Sequence, residues 1–301
     1  MPRPRVAALV ALAMAPAACE LQDPDLLARL RAAAVDSLPG PVPVYYSQGH
    51  VDRARRLQQE HAAAVEYYGE ALAGAPALNV STGLALLDRG DWSEVAGRPY
   101  GLPHIDFTAW PVFVVFLPAA NDEGFAAELW ERAGLASRVD ITRVVDVIGR
   151  HEFGHALNVR YLYVLAPGVE SLSVQWFDEF MATYFGQGHL WHTQGFDADP
   201  IEPRLISDTI PRYTTLREFE EQRAYFGTPE GFANYAWYQA QFAGRAREVF
   251  QKQGVDFIRR VREELPWDTY SSWTVDDLLT WLERIEPGFV AWASSLERAG
   301  R

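Results

Sequence analysis

The sequence predicts an α+β protein with an α/β lobe over residues 41–140 and a helical lobe over residues 141–301. Strand-like apolar runs occur in the first part, and the strongest of them is Ala109–Leu117 (AWPVFVVFL). From Thr142 onward, apolar residues recur at steps of three and four, which is the period of an amphipathic helix. The 301 residues are also enough to bury a sizeable core.

The first 18 residues have the layout of a secretory signal peptide. Two arginines lie within Met1–Arg5, an apolar run follows at Val6–Ala15, and small residues precede Cys19. Cys19 lies where a bacterial lipoprotein carries its lipidated residue, so the segment resembles a lipoprotein signal; cleavage after Ala17 without a lipid is the alternative. We therefore expect a protein of the bacterial cell envelope, held to the membrane through a lipid on Cys19 and a tether over residues 19–40.

Charge and cysteine content exclude several classes of protein. The net charge is −13, from 27 basic and 40 acidic residues, and such a chain repels a phosphate backbone, so we expect no nucleic-acid partner. The chain has one cysteine, which excludes an internal disulfide and any zinc site built on thiolates. A metal ion would have to be bound by histidine and carboxylate side chains.

The elements of the first part follow from apolar spacing and from turn residues. In order, the sequence predicts a short helix over Leu26–Val35, a strand over Pro41–Tyr46, a long helix over 50–73, a strand over Leu78–Leu87, a turn over Asp88–Asp91, the strand Ala109–Leu117 and a short helix over Gly124–Ala133.

The helical part begins with a helix over Thr142–Tyr163, whose buried stripe includes two histidines. A second helix is predicted over 171–186 and is expected to end at Gly186 and Gly188, with a loop over 189–213. The remaining sequence predicts helices over 214–226, 229–252, 255–265 and 274–298.

The helix over Thr142–Tyr163 contains the motif HExxH, formed by His151, Glu152 and His155 with two residues between. Its histidines are four residues apart on one helix face, where both imidazoles can bind one Zn²⁺. Glu152 projects from the adjacent face and is the candidate base for a zinc-bound water molecule. A pair of core histidines satisfied by hydrogen bonds is the alternative, but two unpaired imidazoles on a buried face would be costly.

A catalytic zinc ion needs a third protein ligand and one open position. The next predicted helix places Trp176, Glu179, Ala182 and Thr183 on one face, and the small Ala182 allows a close approach to another helix. A glutamate among such residues needs a partner, and a cation is the natural one. Glu179 is therefore the expected third ligand, with Asp178 as the next candidate; a solvated surface glutamate is the alternative.

HExxH followed by a helix with the pattern Trp-x-x-Glu-x-x-Ala resembles the gluzincin zinc peptidases, and the layout is similar to the bacterial peptidase MA-like families. The resemblance implies a thermolysin-like zincin fold with an active-site cleft between the lobes. It implies that Ala109–Leu117 lies beside the cleft, where an edge strand pairs with extended substrate. It also implies an oxyanion donor about sixty residues after the third ligand. Tyr235 and Tyr238 have this spacing, and His189 and His192 are the second option.

We therefore expect a zinc-dependent peptidase that binds one Zn²⁺ through His151, His155 and Glu179 and acts on a peptide or protein. Glu152 would take a proton from water and pass it to the leaving amine. Two alternatives stay open on the sequence alone. One is a zinc hydrolase of another amide, such as a cell-wall peptide, and the other is a non-catalytic zincin-fold lipoprotein of the cell envelope.

Overall fold

The computed structural model of the chain describes residues 25–33, 36–109, 111–120, 124, 140–165, 174–198, 211–226, 228 and 231–299. These residues form a mixed α+β structure with one five-stranded sheet before residue 140 and helices after it, which confirms the expected α+β class. Among them, no helix is both long and apolar enough to cross a membrane. The expected signal segment and Cys19 lie outside the described residues, as does all but Gly124 of the expected helix Gly124–Ala133.

The first part of the chain builds a sheet with helices on both of its faces. Its elements are α1 (Leu26–Ala32), β1 (Asp36–Leu38), β2 (Val44–Tyr46), α2 (Val51–Ala71), β3 (Ser81–Leu87), α3 (Arg89–Val95), β4 (His104–Asp106) and β5 (Val112–Pro118). The strand order is β1-β2-β3-β5-β4, with parallel pairing between β2, β3 and β5 and antiparallel pairing of both edge strands.

The two central strands, β3 and β5, are buried on both faces. In β3, Leu84 and Leu86 pack with the core that includes α2, whereas Ala85 and Leu87 pack with α1 and α3. A strand buried on both sides appears in sequence as a continuous apolar run, which explains the strong signal of Ala109–Leu117. It also corrects the expectation for that run: β5 lies between β3 and β4, so the edge strand is β4.

The described residues of the stretch expected as a tether, 19–40, pack on the sheet. Helix α1 buries Leu26 and Leu30 against the sheet, and β1 pairs with β2 from Asp36–Tyr46 to Leu38–Val44. The expected turn at Asp88–Asp91 is wrong, because the Asp88 carboxylate accepts a hydrogen bond from the Asp91 N–H and begins α3.

The second part of the chain is helical. Its helices are α4 (Ile141–Tyr161), α5 (Gln175–Gln194), α6 (Leu216–Glu221), α7 (Arg223–Phe226), α8 (Phe232–Gln253), α9 (Asp256–Glu264), α10 (Val275–Ile285) and α11 (Phe289–Ala299). The single helix expected over 274–298 is therefore two helices. They are separated at Pro287 and Gly288, where Gly288 has a φ of 106°, a value that L side chains rarely adopt.

Helix α5 continues through Gly186 and Gly188, where the sequence predicted its end. Both glycines serve close packing. A Cβ atom at Gly186 would lie 2.2 Å from the carbonyl oxygen of Arg150, and one at Gly188 would lie 2.6 Å from the hydroxyl of Tyr68. A glycine at a helix contact and a glycine at a helix end look the same in a single sequence.

Helix α9 caps the ends of two earlier helices. The guanidinium of Arg259 donates to the carbonyl oxygen of Ala71, at the end of α2. The guanidinium of Arg262 donates to the carbonyl oxygens of Tyr161, at the end of α4, and of Pro76. Cations at these positions satisfy carbonyl groups that have no partner within their own helix.

Candidate metal centre

Helices α4 and α5 cross at very short range, and this contact brings the HExxH motif to Glu179. A Cβ atom at Gly154, inside the motif, would lie 1.9 Å from the carbonyl oxygen of Ala182. The expectation that Ala182 allows a close approach is confirmed. The start of α5 is held by Glu220 of α6, whose carboxylate accepts from the Trp176 N–H at 2.7 Å.

Three side chains converge at this crossing. His151 Nε2 lies 3.0 Å and His155 Nε2 lies 3.8 Å from Glu179 Oε2. One ligand atom from each residue lies within 4.8 Å of the others, and all three side chains are largely buried. In the part of the chain that the structure describes, no other group of three or more His, Cys, Asp or Glu residues is gathered in this way. The cluster could therefore bind a metal ion.

The outer nitrogen of each imidazole already has a partner. His151 Nδ1 lies 2.9 Å from the hydroxyl oxygen of Thr183, and His155 Nδ1 lies 3.3 Å from Asp178 Oδ2. Each Nε2 atom is thereby directed toward Glu179. Partners of this kind fix the tautomer and the orientation of metal-binding histidines.

Asp178, the second candidate for the third ligand, is placed on the far side of His155. Besides that imidazole, its carboxylate accepts from the Tyr163 hydroxyl at 2.6 Å and from Asn158 Nδ2 at 3.0 Å. With its oxygens engaged in this way, Asp178 orients a ligand, and Glu179 remains the carboxylate inside the cluster.

The cluster balances its charge with a proton when no cation is bound. Burial alone would raise the pKa of Glu179, but the hydrogen bond from His151 and the charge of His155 outweigh it and lower that pKa to about 2. Burial alone would lower the pKa of His155, but the Asp178 and Glu179 carboxylates outweigh it and raise that pKa to about 10. A buried carboxylate thus faces a buried imidazolium, and a metal cation can take the place of that proton.

Glu152 lies beside the cluster and against the sheet edge. Its Oε2 atom accepts a hydrogen bond of 3.1 Å from the backbone N–H of Ile105 in β4. That N–H therefore points away from β5, the neighbour of β4 in the sheet. Burial raises the pKa of the Glu152 carboxyl above its ordinary value, against the opposing effect of the two imidazoles. A raised pKa makes this carboxylate a stronger base than an exposed glutamate.

Helix α8 supplies two more polar groups, and only one of them was predicted. The Tyr235 hydroxyl donates to Glu179 Oε2 at 3.2 Å, and Gln239 Nε2 donates to the same atom at 2.8 Å. Tyr238 does not reach the cluster, because its fully buried hydroxyl donates to the carbonyl oxygen of Thr215 at 2.8 Å. Gln239 had no signal in the sequence beyond its spacing of four residues from Tyr235.

His189 and His192, the second option for an oxyanion donor, lie away from the cluster. They are ten and thirteen residues beyond Glu179 on α5, or about 15–20 Å at the rise of an α-helix. Their rings pack against Tyr67, with centroids 5.5 Å and 4.8 Å from its ring. We therefore assign them no part in this site.

Fold and site together describe a mixed α+β protein with a buried His-His-Glu cluster and an adjacent carboxylate. Comparisons of the chain with protein-family models, with curated proteins and with solved structures found no match. The function proposed below is therefore argued from the residues of the site.

Proposed function

We propose that this chain is a zinc-dependent peptidase of gluzincin type, similar to the peptidase MA-like families. The observation that carries the proposal is the convergence of His151 Nε2, His155 Nε2 and the Glu179 carboxylate, with Glu152 beside them. Two imidazoles and one carboxylate are the donor set of many hydrolytic zinc sites.

Two of the three separations between the donor atoms are close to those expected around a zinc ion. Ligand atoms about 2.0–2.1 Å from a tetrahedral ion lie about 3.3 Å from one another. The two Nε2–Oε2 separations, 3.0 Å and 3.8 Å, lie on either side of this value. Three protein ligands also leave one position open for water or substrate, as catalytic zinc requires.

The chemistry that we propose uses this chain's own residues for proton transfer and charge stabilisation. Bound zinc would polarise the scissile carbonyl and make a water molecule acidic near neutral pH. Glu152 accepts the proton of the attacking water and donates it to the leaving amine. Burial and the charges of Glu179 and Glu152 raise the pKa of Tyr235 well above its ordinary value, so its hydroxyl stays protonated and can donate to the oxyanion that develops.

We propose that extended substrate lies in a thermolysin-like cleft between the sheet and the helical part. Glu152 meets the sheet edge through Ile105, and α8 meets the cluster through Tyr235, so the site has the sheet on one side and α8 on the other. β4 is the edge strand next to Glu152, so β4 is the strand that we expect to pair with substrate.

Replacement of Glu179 by alanine is expected to remove most of the bound zinc, because two ligands hold the ion far more weakly than three. Elemental analysis after dialysis against limiting zinc should give about one zinc per chain for the wild type and much less for the variant. The exposed Glu94 on α3 provides a matched control, since Glu94→Ala should leave zinc content unchanged. Near-stoichiometric zinc in Glu179→Ala would show that the third ligand is another residue.

Zinc binding at pH 8 is expected to release a proton from His155 in addition to the one lost by zinc-bound water, because His155 must be neutral to bind the ion. In the metal-free protein, the carboxylates of Asp178 and Glu179 outweigh burial and hold the pKa of His155 at about 10. Zinc affinity should therefore rise with pH up to that value. Calorimetry in two buffers of different ionisation enthalpy measures the release, and Asp178→Asn should reduce it. Equal proton release by the wild type and by Asp178→Asn would contradict the charge assignment.

We also propose that the mature protein begins at a lipidated Cys19 and is held to the cell envelope. The basic start, the apolar run and the lone cysteine support this proposal. Two acyl chains on one cysteine are enough for stable anchoring. Mass spectrometry of the mature N-terminus is expected to show the lipid, whereas an unmodified terminus at Ala18 would indicate plain cleavage after Ala17.

A further inference from the structure

Four groups lie around one oxygen atom of Glu179. Gln239 Nε2 is the nearest at 2.8 Å, followed by His151 Nε2 at 3.0 Å, the Tyr235 hydroxyl at 3.2 Å and His155 Nε2 at 3.8 Å. Two of these groups are imidazoles, whose Nε2 atoms would bind the metal ion. The other two are N–H and O–H donors, both from α8, and they stay available to hydrogen-bond the carboxylate when an ion binds.

Gln239 can approach this carboxylate only through its amide nitrogen, because an ionised carboxylate accepts hydrogen bonds and does not donate them. An amide is also neutral. A lysine in this position would oppose the binding of a cation, and a hydrophobic residue would remove the nearer of the two α8 donors to the buried Glu179 oxygen.

Gln239 and Tyr235 are four residues apart on α8 and share one face of that helix. Both side chains donate to the same oxygen atom of Glu179, Gln239 at 2.8 Å and Tyr235 at 3.2 Å. Because Gln239 also donates to this oxygen, Glu179 keeps a partner when the Tyr235 hydroxyl donates to substrate instead.

The backbone that carries Gln239 is firmly held. Its neighbours Tyr238 and Ala240 are fully buried, and the Tyr238 hydroxyl ties α8 to the carbonyl oxygen of Thr215. The amide therefore acts from a fixed helix rather than from a loop, which is the condition for orienting another side chain accurately.

We propose that Gln239 is a positioning residue: its amide holds the Glu179 carboxylate in place as a metal ligand. This inference rests on the zinc site proposed above and extends it to a partner for the third ligand. Loss of such a partner typically costs 10–100-fold in metal affinity.

The test compares Gln239→Leu with Gln241→Leu, which removes an amide from the same helix two residues further on. Zinc alone is the probe, and its dissociation constant is measured by competition with a chromophoric chelator. A second readout is the visible absorption of the protein loaded with Co²⁺, which reports the coordination of the ion. We expect affinity to fall about 10–100-fold and the cobalt spectrum to change in Gln239→Leu, with neither change in Gln241→Leu.

Gln239→Met provides a second variant of similar length in case the leucine protein does not fold, and the same losses are expected of it. Equal zinc affinity and equal cobalt spectra in the wild type and in the folded Gln239 variant would overturn this inference while leaving the zinc site intact. A wild-type protein that binds neither zinc nor Co²⁺ would overturn the proposed function and this inference with it.

Discussion

Replacement of Glu152 by glutamine is expected to abolish peptide hydrolysis and to leave the zinc content unchanged. Glutamine has nearly the same shape and can still accept a hydrogen bond from the Ile105 N–H, but it has no basic carboxylate. A positioned base typically contributes 10²–10⁴ in rate, so turnover should fall by about that factor. The measurement is cleavage of a substrate found in a peptide library, with zinc determined on the same samples.

A matched control variant makes this result specific to the base. Glu94→Gln, an exposed site on α3, should keep full activity. Full activity in Glu152→Gln would contradict the peptidase mechanism. If neither the wild type nor Glu152→Gln cleaves any member of a broad library while both bind zinc, the non-catalytic envelope lipoprotein becomes the better account.

Replacement of Gly154 by alanine is expected to destabilise the protein severely. The new methyl group would lie 1.9 Å from the carbonyl oxygen of Ala182, and backbone cannot move aside as a flexible side chain can. Overpacking typically costs about 1–3 kcal/mol, and a clash with backbone should lie at or above the top of that range. Urea unfolding of metal-free protein measures the loss without the contribution of bound zinc.

Gly69 in α2 is the matched control for this clash. A methyl group there would meet only the Tyr161 hydroxyl, at 3.8 Å, which is an ordinary contact. Alanine is the better helix former by up to about 1 kcal/mol, so Gly69→Ala should be neutral or stabilising. If Gly154→Ala unfolds at the same urea concentration as the wild type, the two helices do not cross as closely as the structure places them.

The order of helices and strands could be predicted because each long element carries its own periodicity. The predictions that failed concern features that depend on contacts with neighbouring elements. β1 and β4 have three residues each, too few to show alternation. The place of β5 inside the sheet depends on pairing with β4, which the sequence did not reveal.

The core of the candidate site could also be predicted, since HExxH and the inward Glu179 are defined by spacing within single helices. The groups that support this core could not be predicted from the sequence. Asp178 was expected as an alternative ligand, and only the structure shows it bound to the outer nitrogen of His155. Gln239 approaches Glu179 across 60 residues of sequence. A single polar contact between two helices leaves no periodic signal in either of them.

The hydrogen bond from Arg262 to the carbonyl oxygen of Tyr161 joins residues 101 positions apart in sequence. The bond from Arg262 to Pro76 joins residues 186 positions apart. Because synthesis starts at the N-terminus, the HExxH segment is complete long before Arg262, which caps its helix, has been added. Such distant pairing makes folding slow, because loop entropy is lost before the contact forms. We therefore expect the rate of zinc binding during refolding to be limited by the formation of these distant contacts. Above modest zinc concentrations, this rate should no longer depend on the zinc concentration.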